Sequence, residues 1–324
     1  MNKVKTIFGI DISKATFDVM DCSGKHSQFE NNLTGFVKFL KLLNADSHCV
    51  MEATGYYHYQ LAHYLVEHKI MVSVENPLSI KRFIQMKLSR IKTDKSDAKM
   101  ICLYGQEREL QPWVGYTKNQ MECFQMMRLL ETYTKQSTAY KNKLQAEQTL
   151  GNPSKAVVSS LTRSLKNLKK ESDMIEEILL KLVKEDHQEM LTTIESISGI
   201  GRKTAMLLLV VTDGFTRFES SGQLCSFCGL TPSIRQSGTS VKGRSRITKI
   251  GNAKLRNLLF MCSFTAYKHN KACKAIYDRI VNQGKSKKLA LIAVCNKLLK
   301  QAFAIAKSGV EYNPNYRSLQ PKTN

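Results

Sequence analysis

The hydrophobic pattern opens with a strand. Residues 3–13 gather β-branched and aromatic side chains around Gly9, a position that leaves room for a close backbone neighbour. Thr16–Asp21 predicts a second strand, residues 22–25 a turn and residues 27–31 a third strand, one after another as a meander. Thr34 reads as the N-cap of a helix through Leu43, with Phe36, Phe39, Leu40 and Leu43 on one face. Residues 48–53 then predict a strand ending near Glu52, and 56–68 a helix with Leu61, Tyr64 and Leu65 inward. A strand over 71–75 and helices over 78–86 and 98–104 follow. Three strands, then helix and strand in alternation, predict a mixed sheet covered by helices.

The pattern changes after Gln120, where long polar helix formers take over as far as Glu185. Residues 151–154 split this stretch into two helices. In the second, Val158, Leu161, Leu165, Leu168, Ile175, Leu179 and Leu182 keep a 3–4 spacing, with Ser172 at the polar seam position. That is coiled-coil patterning. It fits an antiparallel hairpin, a dimer seam, or a helix packed on its own domain. Residues 194–205 read as a helix, a Gly199-Ile200-Gly201 turn and an apolar helix. Such a turn lets a backbone approach a phosphate and aims free N–H groups at it, with Lys203 alongside; the same pattern also serves as a plain helical corner. Residues 289–306 predict an apolar core helix, and the tail after Ser308 carries two of the six prolines and reads as loosely ordered.

Composition narrows the function. The chain has 324 residues with 49 basic and 27 acidic side chains, a net charge of +22, which points to a polyanionic partner and to nucleic acid first. No apolar run near 18 residues stands out, so no membrane is expected. The first strand is interrupted by Asp11, unlike a signal peptide. Nine scattered cysteines read as reduced cytosolic thiols, and Cys225-Ser226-Phe227-Cys228 lacks a second ligand pair, so it reads as a buried helix face.

Two stretches carry candidate chemistry. Asp11 sits inside an apolar run, where a carboxylate is costly unless it caps a turn or binds a cation. Glu52 ends a later strand. Asp94 and Asp97 are spaced to share a helix face, where they either complement the helix dipole or repel until a cation joins them. The second stretch lies between Glu219 and Asp278, which has no acidic residue but carries Arg235, Lys242, Arg244, Arg246, Lys249, Lys254, Arg256, Lys268, Lys271 and Lys274. A solvated face keeps both signs, so this interval predicts phosphate contact. Within it, Gln236-Ser237-Gly238-Thr239-Ser240 forms a small polar loop. A serine there serves either as a phosphate-binding hydroxyl or as a nucleophile on phosphorus.

In this order, Gly9-Ile10-Asp11, Glu52-Ala53-Thr54-Gly55, Lys92-Thr93-Asp94-Lys95-Ser96-Asp97-Ala98, Ser198-Gly199-Ile200-Gly201, Gly229-Leu230-Thr231-Pro232, Ser237-Gly238 and Lys249-Ile250-Gly251-Asn252 with Leu255-Arg256 resemble the insertion-sequence 110 family of transposases, which is related to pilin-gene invertases. The likeness covers nearly the whole chain. It implies an α/β plus α architecture: an RNase H-like, RuvC-type domain over residues 1–116, a coiled-coil hairpin over 117–190, a mainly helical transposase domain with a helix-hairpin-helix-like motif over 191–310, and a tail over 311–324. It implies catalytic, metal-binding acids at Asp11, Glu52, Asp94 and Asp97, and a catalytic serine at Ser237. Gln236 departs from the acid that often precedes that serine, and Thr239 follows Gly238.

The resemblance further implies Mg²⁺, with Mn²⁺ as a substitute, DNA ends and targets as substrates, a guide RNA, and a homo-oligomer whose composite site joins acids and serine from different subunits. The expected setting is the cytoplasm, at the nucleoid. Nucleic-acid contacts are expected from Gly199, Gly201, Lys203, Arg235, Lys242, Arg244, Arg246 and Lys249. A water-using junction nuclease, in which Ser237 only binds phosphate, is the alternative enzyme; a non-catalytic scaffold is the third class, disfavoured by the intact set of four acids.

Overall fold

The computed structural model describes residues 6–53, 55–88, 93–233 and 246–316, and the backbone of 236–237 and 241–242. It divides into two compact units, Met1–Tyr116 and Thr117–Asn324.

The first unit holds β1 (Thr6–Ile12), β2 (Thr16–Asp21), β3 (His26–Glu30), α1 (Leu33–Leu40), β4 (Ser47–Glu52), α2 (His58–Glu67), β5 (Met71–Glu75), α3 (Pro77–Met86) and α4 (Asp94–Glu107). The sheet order is β3-β2-β1-β4-β5, with β2 antiparallel to both neighbours and β1, β4 and β5 mutually parallel. This mixed sheet is consistent with an RNase H-like fold. Phe8, Ile10 and Ile12 face one core with Phe17, Phe36, Phe39, Leu61 and Leu65. Ile7 faces the other, with Met20, Val50, Ile80, Ala98 and Ile101. Both faces are covered, which is why the central strands are apolar almost throughout.

Local signals place the helices slightly differently from the periodicity. Asn32, not Thr34, caps α1, its Oδ1 accepting from Gly35 N at 3.0 Å. The helix begins at the first residue that can satisfy its free N–H groups, and that comes before the apolar face. For the same reason α4 begins at Asp94 instead of Ala98. Ser96 N donates to Thr93 Oγ1 at 3.1 Å and Thr93 N to Ser96 Oγ at 2.9 Å, closing a capping box.

In the second unit, α5 (Lys118–Thr149) and α6 (Lys155–Glu195) pack along each other. Val158, Leu161, Leu165 and Leu168 are half-buried along that seam, and Leu179 and Val183 are buried near its root. Beyond lie α7 (Arg202–Thr212), α8 (Ser221–Phe227), β6 (Pro232–Ser233), β7 (Gln236–Ser237), β8 (Val241–Lys242), β9 (Arg246–Ile247), α9 (Ala253–His269), α10 (Lys271–Asn282) and α11 (Lys287–Ser308). The central helix α7 is buried from Thr204 to Thr212. Leu255 and Leu259 of α9 and Val294, Leu298 and Leu299 of α11 share its core.

Two expectations are revised in this unit. By length and composition α11 does reach what a membrane span needs, but its buried face, Ala290 through Ile305, lies in the core of the unit. The described part of the tail is tied down as well: Tyr312 N donates to Ser196 Oγ at 2.9 Å, and Lys271 Nζ to Asn315 Oδ1 at 2.7 Å.

Candidate active site

Strand alternation puts Asp11 on the same face as Ile7 and Gly9, the face that α4 covers. Gly9 makes that cover possible. A Cβ there would stand 2.6 Å from Cys102 Cα and closer still to the Ala98 carbonyl oxygen. The helix therefore lies directly against β1, and its first turn brings Asp94 and Asp97 toward Asp11. Glu52 arrives from the neighbouring strand. It lies one step beyond the Ile10–Met51 pair of the parallel register, which carries it beside Asp11.

Electrostatics register the convergence. Burial first, then the charges of Asp97, Asp94, Glu52 and Asp18, push the Asp11 carboxyl up from 3.8 to about 6. The other three sequence-predicted acids all act on Asp11, and a fifth joins them. Asp18 faces Asp11 across the antiparallel β1–β2 register. Glu75 extends the row on the other side, paired with Glu52. Its Oε2 accepts from Tyr104 Oη of α4 at 3.3 Å, and burial pushes its carboxyl up. Neither Asp18 nor Glu75 stands out in the sequence, because only the strand register aligns them with Asp11 and Glu52.

Among the described residues, no three His, Cys, Asp or Glu side chains are drawn close enough to hold a metal ion as they stand. The donor chemistry nonetheless fits one. Carboxylate oxygens are the ligands hard divalent cations take, and the repulsion that raises Asp11 is what such an ion relieves. Asp11, Glu52, Asp94 and Asp97 are the residues that would hold it.

The other predicted site residues belong to the second unit. Ser237 lies in a ladder and not in a loop: β7 pairs with β8 antiparallel, Ser237 opposite Val241 and Gln236 opposite Lys242. The β6–β9 pair encloses this ladder in sequence. Arg246 and Lys249 are exposed just beyond it. Arg235, Gly238, Thr239, Ser240 and Arg244 lie outside the described residues, as do Thr54 and Lys92 of the acid motifs. Two cations of the acid-free interval serve the fold. Lys254 Nζ donates to Met127 O at 2.8 Å, with its pKa pushed down by burial, and Arg256 Nη1 donates to Cys228 O at 2.8 Å.

The Gly199–Gly201 turn divides its two glycines. Gly199 has φ +107° and no room for a side chain, since a Cβ would meet Ala266 of α9 at 2.6 Å. That packing and the positive φ are enough to require glycine there. Gly201 caps α7 and has open space where a Cβ would be. Lys203, one residue into α7, pairs with Glu176 at 2.5 Å on the surface. Cys225 and Cys228 are both buried thiols, and burial pushes Cys228 up to about 12.

Comparison with known proteins gives two family matches. The model described as "Transposase IS116/IS110/IS902 family" matches residues 191–278. One described as "Transposase", labelled as the DEDD type of IS110, matches residues 8–150. The pilin gene-inverting protein of Moraxella lacunata is 32% identical over 317 residues, covering 93% of this chain and 95% of its own. That of Moraxella bovis is 32% identical over 318 residues with the same coverage. An uncharacterized 43.6 kDa protein of insertion element IS110 from Streptomyces coelicolor is 30% identical over 156 residues, 48% of this chain and 38% of its own.

Proposed function

Because the chain belongs to the IS116/IS110/IS902 family of transposases, enzymes that cleave and rejoin DNA, we propose that it is the recombinase of its own mobile element and that it works through two chemical centres. The DEDD domain carries a general dependence on divalent metal; we assign Mg²⁺, with Mn²⁺ as substitute, to Asp11, Glu52, Asp94 and Asp97 in an RNase H-like domain of RuvC type. The observation that carries this reading is the convergence of those acids on Asp11, whose carboxyl is raised to about 6. A bound divalent ion supplies Lewis acidity at the scissile phosphate.

Ser237 is the proposed nucleophile. Its Oγ forms a bond to phosphorus while the bond from phosphorus to one flanking deoxyribose oxygen breaks. The hydroxyl proton is lost, and the leaving oxygen takes one up. The resulting phosphoserine link keeps the phosphodiester energy, so rejoining needs no ATP. Positive side chains near β7, Arg246 and Lys249 among them, stabilise the developing charge. The serine and the acids meet in a homo-oligomer, one subunit's Ser237 serving another's acids. Target choice falls to base pairing with a guide RNA. A basic surface without an evident base-reading module supports that division. The Gly201 turn, read as helix-hairpin-helix-like, adds backbone contacts, and the enzyme acts in the cytoplasm, at the nucleoid.

The test is cleavage of element-end DNA in Mg²⁺. EDTA and Asp11→Asn each abolish it while nucleic-acid binding persists. Cleavage that continues in EDTA contradicts the metal assignment.

A further inference from the structure

Asp18 is placed where a carboxylate is hardest to keep. It lies directly opposite Asp11 on the neighbouring strand, and like charges so placed destabilise a sheet. It is also only 4% exposed, and burial of a charged group is costly unless its bonds are made. Those bonds are present. His26 Nε2 donates to Oδ1 at 2.7 Å, and Gln28 Nε2 donates to Oδ2 at 3.1 Å. Both donors stand on β3, on the side of β2 away from β1. The carboxylate is therefore held from behind, while its charge bears on Asp11 and joins the repulsion recorded there.

With no cation present, a buried acid fixed by two donors adds only repulsion to the four acids it faces. It has a use if a cation enters the cluster, because the attraction of the ion to every nearby carboxylate then exceeds the repulsion among them. We propose that Asp18, anchored by His26 and Gln28, is a positioning residue of the divalent-ion site: it strengthens cation binding at Asp11 by its field and by restricting where the Asp11 carboxylate can turn, without becoming a ligand. This rests on the assignment of Asp11, Glu52, Asp94 and Asp97 to the metal. It is the kind of outer support that metal ligands commonly need.

The test needs no DNA and no turnover. Trp113 is the one tryptophan in the chain and lies in the first unit, against Tyr59 and His63. Its fluorescence reports thermal unfolding of that unit within the full-length protein. MnCl₂ and MgCl₂ are titrated against the unfolding temperature. The wild type is expected to be stabilised by either ion, and Asp11→Asn by neither. Asp18→Asn keeps the shape and can still accept from His26. It is expected to need about tenfold more ion to reach half its shift, with a plateau as high as the wild type's. The double variant His26→Ala, Gln28→Ala retains Asp18 and loosens it; it moves the midpoint the same way, and serves if Asp18→Asn does not fold.

An unchanged midpoint in Asp18→Asn overturns the proposal. So does complete loss of the ion response, which would make Asp18 a ligand. A wild type that responds to neither ion removes the metal site itself and Asp18's role with it, and is distinguished by failing before any variant is compared.

Discussion

Gly9 and Cys102 lie so close that a Cβ on the glycine would stand 2.6 Å from the Cα of the cysteine. That approach fixes the height of α4 above the sheet, and so brings Asp94 and Asp97 to Asp11. Gly9→Ala is expected to push the helix off its strand, destabilising the first unit by about 2 kcal/mol, in the range that overpacking produces. DNA cleavage should fall further than stability, because the acids separate. Urea unfolding followed at Trp113, beside a cleavage assay, checks both. Gly201→Ala, where a Cβ has open space, is expected to leave stability nearly unchanged.

Proton linkage gives a second expectation. Asp11 has a folded pKa of about 6 against 3.8 for the free side chain. A raised pKa means its contribution to stability is whole below pH 3.8 and is lost as pH rises through 6. In EDTA the Asp11→Asn protein should therefore unfold at a higher temperature than the wild type at about pH 7.5, above both values, with the gap narrowing on acidification below pH 6. Saturating Mg²⁺ should reverse the order above pH 6, since the ion favours the ionised acid. A gap independent of pH would mean that the carboxyl is not under strain.

The basic interval separates into two roles. Replacing Arg246 and Lys249 with Ala should weaken nucleic-acid binding and reduce the salt slope by about 0.9 for each phosphate that is no longer neutralised. Lys254→Ala should instead lower stability by about 1.5–3 kcal/mol, as expected for removing a hydrogen bond from a charged group, because Met127 O, inside α5, loses the ammonium that donates to it from α9. Binding titrations across salt concentrations, paired with denaturant melts, separate the two.

How much of this was legible in the sequence differs by element. The five strands of the first unit were, because β-branched and aromatic runs and turn residues mark them and Gly9 announced a close neighbour; the two-residue strands around Ser237 were not, because small polar residues there read as a loop. The starts of α1 and α4 were not, because capping at Asn32 and Thr93 precedes any apolar period. Asp11, Glu52, Asp94 and Asp97 could be picked out by type and position. Asp18 and Glu75 could not, since their alignment exists only in the register. The role of Gly199 depends on Ala266, a residue of another helix with no trace in the local motif. Lys254 and Arg256 looked like phosphate binders because their partners are backbone carbonyls, which no sequence pattern reveals.

A composite site makes its own prediction. Asp11→Asn and Ser237→Ala should each be inactive alone. Mixed, they should regain part of the cleavage, since one intact site can form from two broken chains. No recovery from two folded, co-assembled variants would confine serine and acids to a single subunit.

The most direct test of the account is a denaturing gel of labelled element-end DNA incubated with the protein in Mg²⁺, followed by peptide mapping of any DNA that remains bound to protein. The account predicts a covalent adduct at Ser237, absent in Ser237→Ala and retained in Ser240→Ala. Free cleaved ends without an adduct would make the enzyme a water-using nuclease, and an adduct surviving in Ser237→Ala would assign the nucleophile to another residue.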